Sequence, residues 1–219
     1  MAKLVTIHNP WLRINWKNTI ASCDIGSSWI KKHAGQLQLS TLPEPFTGNP
    51  NSKVYCLNLN PGAKDAFFES FPANKKKLLG STQRTLNHTM PDNMWFSLYE
   101  HEGYCWWRRI TKEIRTTLGR NPNMFVIEYF PYHSVKSISF PKKLPSYAYS
   151  DQLIQNAMNE GKYILILRHK KEWFDRIHGL RIYNKLFYII NPQNPYITAS
   201  NIRYIHGTSS GVSGLLKSF

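Results

Sequence analysis

Four short apolar runs fix the kind of fold available to this chain: Val54 to Leu59, Met124 to Phe130, Tyr163 to Leu167 and Lys185 to Ile190. Each is too short for a buried helix and ends in turn residues, so each reads as a strand. Helical patterns lie between them. Tyr104 to Leu118 places Tyr104, Trp107, Ile110, Ile114 and Leu118 on one face, with Gly119 as a C-cap. A helix capped by Ser150 runs to about Glu160, with Leu153, Ile154, Ala157 and Met158 turned inward. Lys171 to His178 forms a short helix stopped by Gly179. Ser27 to Leu39 suits a further helix, residues 41–52 are turn-rich, and the Gly- and Ser-rich tail has no assignable element. Strands alternating with helices need crossover connections, which produce a parallel sheet covered on both faces. The expected fold is α/β, a three-layer α/β/α sandwich around a central four-stranded, mostly parallel sheet. With 219 residues, no internal repeat and no linker, one domain spanning residues 1–219 is expected.

Charge narrows the partner. Lys and Arg number 28 against 13 Asp and Glu, a formal net charge of +15, which favours a polyanion and most simply DNA. No apolar run reaches membrane-spanning length, and the N-terminus lacks a secretory pattern. Cys23, Cys56 and Cys105 are too few for a four-thiolate metal or iron–sulfur site, and an odd count opposes a disulfide framework. They read as reduced thiols of a cytoplasmic protein. The eight His residues show no His-Glu-x-x-His pattern. The expectation is a DNA-binding monomer with no cofactor, metal or membrane partner.

Chemistry is expected at strand ends, because ligands of α/β sheets bind outside the carboxyl ends of the strands. Asn60-Pro61-Gly62 turns sharply after the first strand. Pro61 presets φ and Gly62 permits a change of direction with backbone N–H groups facing a ligand. Asn191-Pro192 makes a second such turn after the fourth strand, so Asn60 and Asn191 would share one edge. Glu128 lies inside an apolar run, where a carboxylate is costly unless paired. Phe67, Phe68 and Phe71 precede Lys75-Lys76-Lys77, a combination suited to base stacking beside phosphates. Residues 131–150 read as an ordered surface loop in which Ser134 and Lys136 hold phosphates. Each feature also has a plain structural alternative: an ordinary turn, core aromatics, or a Glu128 paired with a Lys or Arg.

Taken in order, "LNLNPG", "FVIEYFPY" and "INPQNP" resemble motifs of the uracil-DNA glycosylase superfamily. The resemblance implies that Asn60 positions the attacking water, with Asp65 next in line. It makes Phe71 the base-stacking aromatic, with Phe68 as alternative, and puts Pro61 and Gly62 against the base. Asn191 then contacts the base carbonyl and its developing negative charge. The segment Asn194 to Ile197 enters the minor groove, with Pro195 or Tyr196 as wedge. Two positions depart from the family. Gln193-Asn194 replaces Ser-Pro or Ser-Gly, and Glu128 stands where a uracil-reading Asn is expected. A carboxyl suits a cytosine edge, and the superfamily has a prokaryotic antiviral branch that removes glucosylated hydroxymethylcytosine from phage DNA. On this resemblance the segments 63–93 and 131–149 supply the sugar pocket. Other readings are a repair glycosylase for uracil or deaminated bases, and a non-catalytic nucleic-acid-binding module. "NPQNPY" is also similar to the Asn-Pro-Pro-Tyr motif of amino-methyltransferases, but the Gly-rich cofactor loop of that class is missing.

DNA affinity is expected to fall steeply with salt, with a log–log slope of about −0.9 per phosphate neutralised on duplex DNA. Fluorescence anisotropy over a salt series measures it; an affinity indifferent to salt would remove the polyanion reading.

Overall fold

The computed structural model describes residues 8–15, 17–62, 75–90, 102–135, 138–207 and 211–219. They contain one six-stranded sheet. Its strands are β1 (Phe46–Gly48), β2 (Val54–Asn58), β3 (Phe125–Glu128), β4 (Tyr163–Ile166), β5 (Leu186–Ile189) and β6 (Ile202–Tyr204). Across the sheet the order is β1-β3-β2-β4-β5-β6. The four expected strands are the inner ones and run parallel. The sheet is not limited to these four: β1 and β6 add an antiparallel strand at each edge. Both are only three residues long, too short to show an alternating pattern in the sequence.

Helices α1 (Ser28–His33), α2 (Lys75–Leu86), α3 (Glu102–Ile110), α4 (Lys112–Leu118), α5 (Tyr147–Asn159), α6 (Lys170–Arg176) and α7 (Val212–Ser218) surround the sheet. Side chains alternate across a strand, and both faces of the sheet are apolar. Tyr55, Leu57, Ile127, Ile164 and Leu186 join a core with Ile30, Ile154 and Trp173. Val54, Cys56, Val126, Leu165 and Phe187 join a second core with Trp107, Ile114 and Leu215. The sheet therefore has helical residues packed on each face. Gly48 fits the edge pairing for a steric reason. Its φ is +94°, and a Cβ there would sit 2.2 Å from the Met124 carbonyl oxygen.

Three helix readings change. The pattern from Tyr104 to Leu118 is two helices, broken at buried Thr111, with Gly119 (φ +64°) capping the second. The Thr111 hydroxyl donates back to the Trp107 carbonyl at 2.6 Å, a bond that bends helices. The break leaves the Ile110 carbonyl to accept from Ile197 N at 2.8 Å, which ties the loop after β5 to this helix pair. Helix α5 begins at Tyr147, so Ser150 is a buried interior residue and not its cap. The Asp24 carboxylate instead accepts from Ser146 N at 2.9 Å, capping the helix from the distant 3₁₀ turn Ser22–Asp24. The unassigned tail forms α7. The Ser27 side chain caps α1, which continues into the 3₁₀ turn Ala34–Gln36.

Helix α6 fixes the carboxyl edge of the sheet. Trp173 Nε1 donates to the Asn58 carbonyl at 3.0 Å. Arg176 donates to the Tyr129 carbonyl at 2.7 Å and the Tyr147 carbonyl at 3.2 Å, and pairs with Asp151 at 2.7 Å. Its guanidinium lies 3.8 Å from the centroid of the Tyr147 ring. Replacing Arg176 by Ala is expected to destabilise the protein by about 2–3 kcal/mol, since it removes a part-buried ion pair and the donor to two backbone carbonyls. Urea unfolding measures the loss; a change below about 1 kcal/mol would make the network dispensable.

Candidate functional site

The ends of β3, β2, β4 and β5 bring Glu128, Asn58 with Asn60, Arg168 and Asn191 to one edge in that order. Asn58 and Glu128 are register partners on parallel strands. Asn58 Nδ2 donates to Glu128 Oε1 at 3.0 Å. Both residues are buried, 5% and 8% exposed, yet Asn58 Oδ1 and Glu128 Oε2 have no hydrogen-bond partner. Burial raises the Glu128 pKa from 4.5 to about 8. The bond from Asn58 pulls it down, the charge of Glu44 pushes it up, and the charge of Arg168 pulls it down again. At neutral pH the acid is thus largely protonated. Because Oε1 already accepts from Asn58, the proton resides on Oε2, which becomes a hydrogen-bond donor.

The first turn is held by the chain that follows β3. Tyr129 N and Phe130 N donate to the Asn58 and Leu59 carbonyls at 3.3 and 2.8 Å, so the two chains continue side by side beyond the sheet. This corrects the reading of residues 131–150 as a surface loop over its first part: Pro131, Tyr132, His133 and Ser134 are buried. Ser134, expected on a phosphate, bridges Gly62 and accepts from Asn60 Nδ2 at 2.8 Å. Asn60 Nδ2 also donates to the Pro61 carbonyl at 3.0 Å, and His133 Nδ1 donates to the Gly62 carbonyl at 2.9 Å. The Asn60 amide is therefore fixed by its nitrogen. Its Oδ1 makes no hydrogen bond among the described residues.

Asn191 is exposed. Its Oδ1 accepts from Gln193 N and Asn194 N at 3.2 and 3.3 Å, closing an Asx turn, and its Nδ2 makes no hydrogen bond among the described residues. Asn194 is exposed and its carbonyl accepts from Asn201 Nδ2 at 3.2 Å. Of the two wedge candidates, Pro195 is buried and Tyr196 is exposed. Asp65, Phe68, Phe71 and Lys136 lie outside the described residues. Lys75 and Lys76 open α2, and their side chains also lie outside them.

Sequence reading missed Asn58 and Arg168. Asn58 is a polar residue at the end of an otherwise apolar strand, in register with Glu128. Arg168 directly follows the apolar run of β4. Its Nε donates to the Pro192 carbonyl at 3.1 Å, and its guanidinium lies 5.3 Å from the Trp106 ring centroid. A groove of about 570 Å³ between α4, β6 and α7, floored by Leu118, Ile202, Val212 and Leu216, contains none of these residues. Among the described residues no group of three or more His, Cys, Asp or Glu is placed to hold a metal ion. No helix among them is long and apolar enough to cross a membrane. Comparison of the chain with family models, curated proteins and solved structures returns no match.

The raised Glu128 pKa gives a signed pH dependence. Below pH 4.5 both folded and unfolded states are protonated and no penalty exists. Between 4.5 and about 8 only the unfolded state ionises, so stability is expected to fall by about 1.4 kcal/mol per pH unit and then level off. Glu128→Gln should lack this component. Urea unfolding of both proteins at about pH 5, 7 and 9 measures the difference; parallel pH profiles would mean that Glu128 ionises normally.

Proposed function

We propose that the protein is a DNA glycosylase of the uracil-DNA glycosylase type, acting on a flipped cytosine with a bulky 5-substituent such as glucosylated hydroxymethyl. One observation carries the reading: a buried Glu128 whose Oε2 has no hydrogen-bond partner, at the same carboxyl edge of a parallel sheet as an Asn60 amide held by its nitrogen. On this reading the four inner strands are the central sheet of that family's three-layer fold.

Cytosine presents an unprotonated ring nitrogen at its pairing edge, which accepts from Glu128 Oε2–H. Uracil presents a ring N–H there, a donor facing a donor, and is disfavoured. Asn60 Oδ1 accepts a hydrogen bond from a water and orients it toward the anomeric carbon. Asparagine is no strong base at neutral pH, so the water attacks a sugar already close to a cation, which the DNA phosphates stabilise. Asn191 Nδ2 donates to the base carbonyl as negative charge develops. Extrusion of the nucleotide precedes this chemistry. Unmodified cytosine must be spared, which calls for a pocket that rewards the 5-substituent.

Mass spectrometry of bases released from matched DNAs carrying uracil, cytosine, hydroxymethylcytosine or its glucosylated form tests the reading. Release of the glucosylated base is expected. Asn60→Ala should slow release by about 100-fold or more while DNA binding persists, and Glu128→Gln should shift preference toward uracil. DNA binding without release of any base favours the non-catalytic module to which the +15 charge alone points. Uracil as preferred substrate, with selectivity untouched in Glu128→Gln, returns the protein to uracil repair.

A further inference from the structure

Three groups at the carboxyl edge have assigned work under the glycosylase reading, and Arg168 has none. It follows β4, the strand that separates β2 with Asn60 from β5 with Asn191. The residue is half-buried. Its guanidinium is steered by two contacts, Nε to the Pro192 carbonyl at 3.1 Å and the face of Trp106 at 5.3 Å. Trp106 belongs to α3, and Pro192 to the turn that carries Asn191. Neither contact uses the terminal nitrogens, and neither of these has a hydrogen bond among the described residues. Among the described residues, Arg168 is coupled electrostatically to the Glu128 carboxyl and to Arg109. A positive charge is thus anchored between the base-reading acid and the second turn, with four N–H bonds uncommitted.

Placement here favours the base over the backbone. A phosphate clamp needs an exposed cation on the outer surface. Arg168 is instead half-buried and electrostatically coupled to a buried acid, and a fixed charge partly withdrawn from water acts with less screening. Resting on the glycosylase reading, we infer that Arg168 is a catalytic residue that donates hydrogen bonds to the departing base and neutralises its charge.

The step balances without a co-reactant. The bond between the anomeric carbon and the base nitrogen breaks, and its electron pair passes to the base and spreads onto the ring carbonyl oxygen. Water forms the new carbon–oxygen bond, and the proton it loses is the one the released base gains. Arg168 keeps its proton throughout and acts by charge and hydrogen bonding alone. It supplies what the exposed, partly committed Asn191 cannot: a full positive charge.

Single-turnover release, at saturating enzyme, from two DNAs that differ only in the base tests this role. One carries glucosylated hydroxymethylcytosine and the other glucosylated hydroxymethyluracil, a poorer partner for Glu128 whose slower release is followed over longer times, and whose ring departs as the more stable anion. Arg168→Met is expected to slow the cytosine substrate by about 100-fold and the uracil substrate by about 10-fold or less, with Arg168→Lys in between. The ratio within each variant cancels partial misfolding, which slows both substrates alike. Equal slowing of both, or no slowing, overturns the inference. Weaker DNA binding with an unchanged saturated rate also overturns it, in favour of a phosphate contact. If the wild-type protein releases neither base, the glycosylase reading itself fails, an outcome distinct from failure of the variants.

Discussion

The site depends on a carboxyl group buried at the end of a parallel strand. Glu128 cannot be ionised cheaply there, and its register partner Asn58 donates to one oxygen while leaving the other open. An apolar side chain in place of Asn58 would leave both oxygens without a donor. A Lys in its place would pair with the carboxylate and keep it charged. An amide does neither: it satisfies one oxygen, holds the orientation and leaves the acid neutral. Everything proposed about substrate choice follows from that neutral, oriented acid.

Rigidity around it is built from backbone carbonyls. Helix α6 reaches the sheet edge with two side chains, Trp173 to the Asn58 carbonyl and Arg176 to the Tyr129 carbonyl. At the strand ends the Asn58 carbonyl accepts from Tyr129 N as well as from Trp173, and the Tyr129 carbonyl accepts from Arg176, so side chains from the helix take up acceptors where the ladder runs out. The chain after β3 then runs beside the chain after β2 and clamps Asn60 through Ser134. An amide on a loop is otherwise free to rotate; here its nitrogen is committed twice. Arg176 also anchors α5 through the Tyr147 carbonyl, so one guanidinium couples the helical layer to the site.

The helix break at Thr111 has a comparable consequence on the other face. The Ile110 carbonyl, freed from the helix, holds Ile197, and the exposed Tyr196 stands next to it. The loop after β5 is thereby fixed at both ends, by Ile110 and by the Asx turn of Asn191. Arg168 adds a third tie through the Pro192 carbonyl. A loop proposed to enter a DNA groove needs such fixing, because ordering it on binding would cost affinity.

Much of this architecture was written in local pattern. The four apolar runs, the turns after β2 and β5, and the anomaly of a glutamate among apolar residues follow from composition over a few positions, which suffices because strand period and turn chemistry are local properties. What the sequence left open involves partners far apart along the chain. Asp24 caps α5 from a 3₁₀ turn far away in sequence, so the local candidate Ser150 misplaced the helix start. Edge strands β1 and β6 are three residues long and exist through their pairing with β3 and β5. Ser134 looked like a loop hydroxyl until the strand continuations brought it against Asn60. Asn58 and Arg168 gained significance only through the β2–β3 register and the β2–β4–β5 order. Sequence alone determined which residues are costly or conformationally special; the tertiary structure decided which of them meet, because register and strand order are set by packing over the whole sheet and not by any one segment.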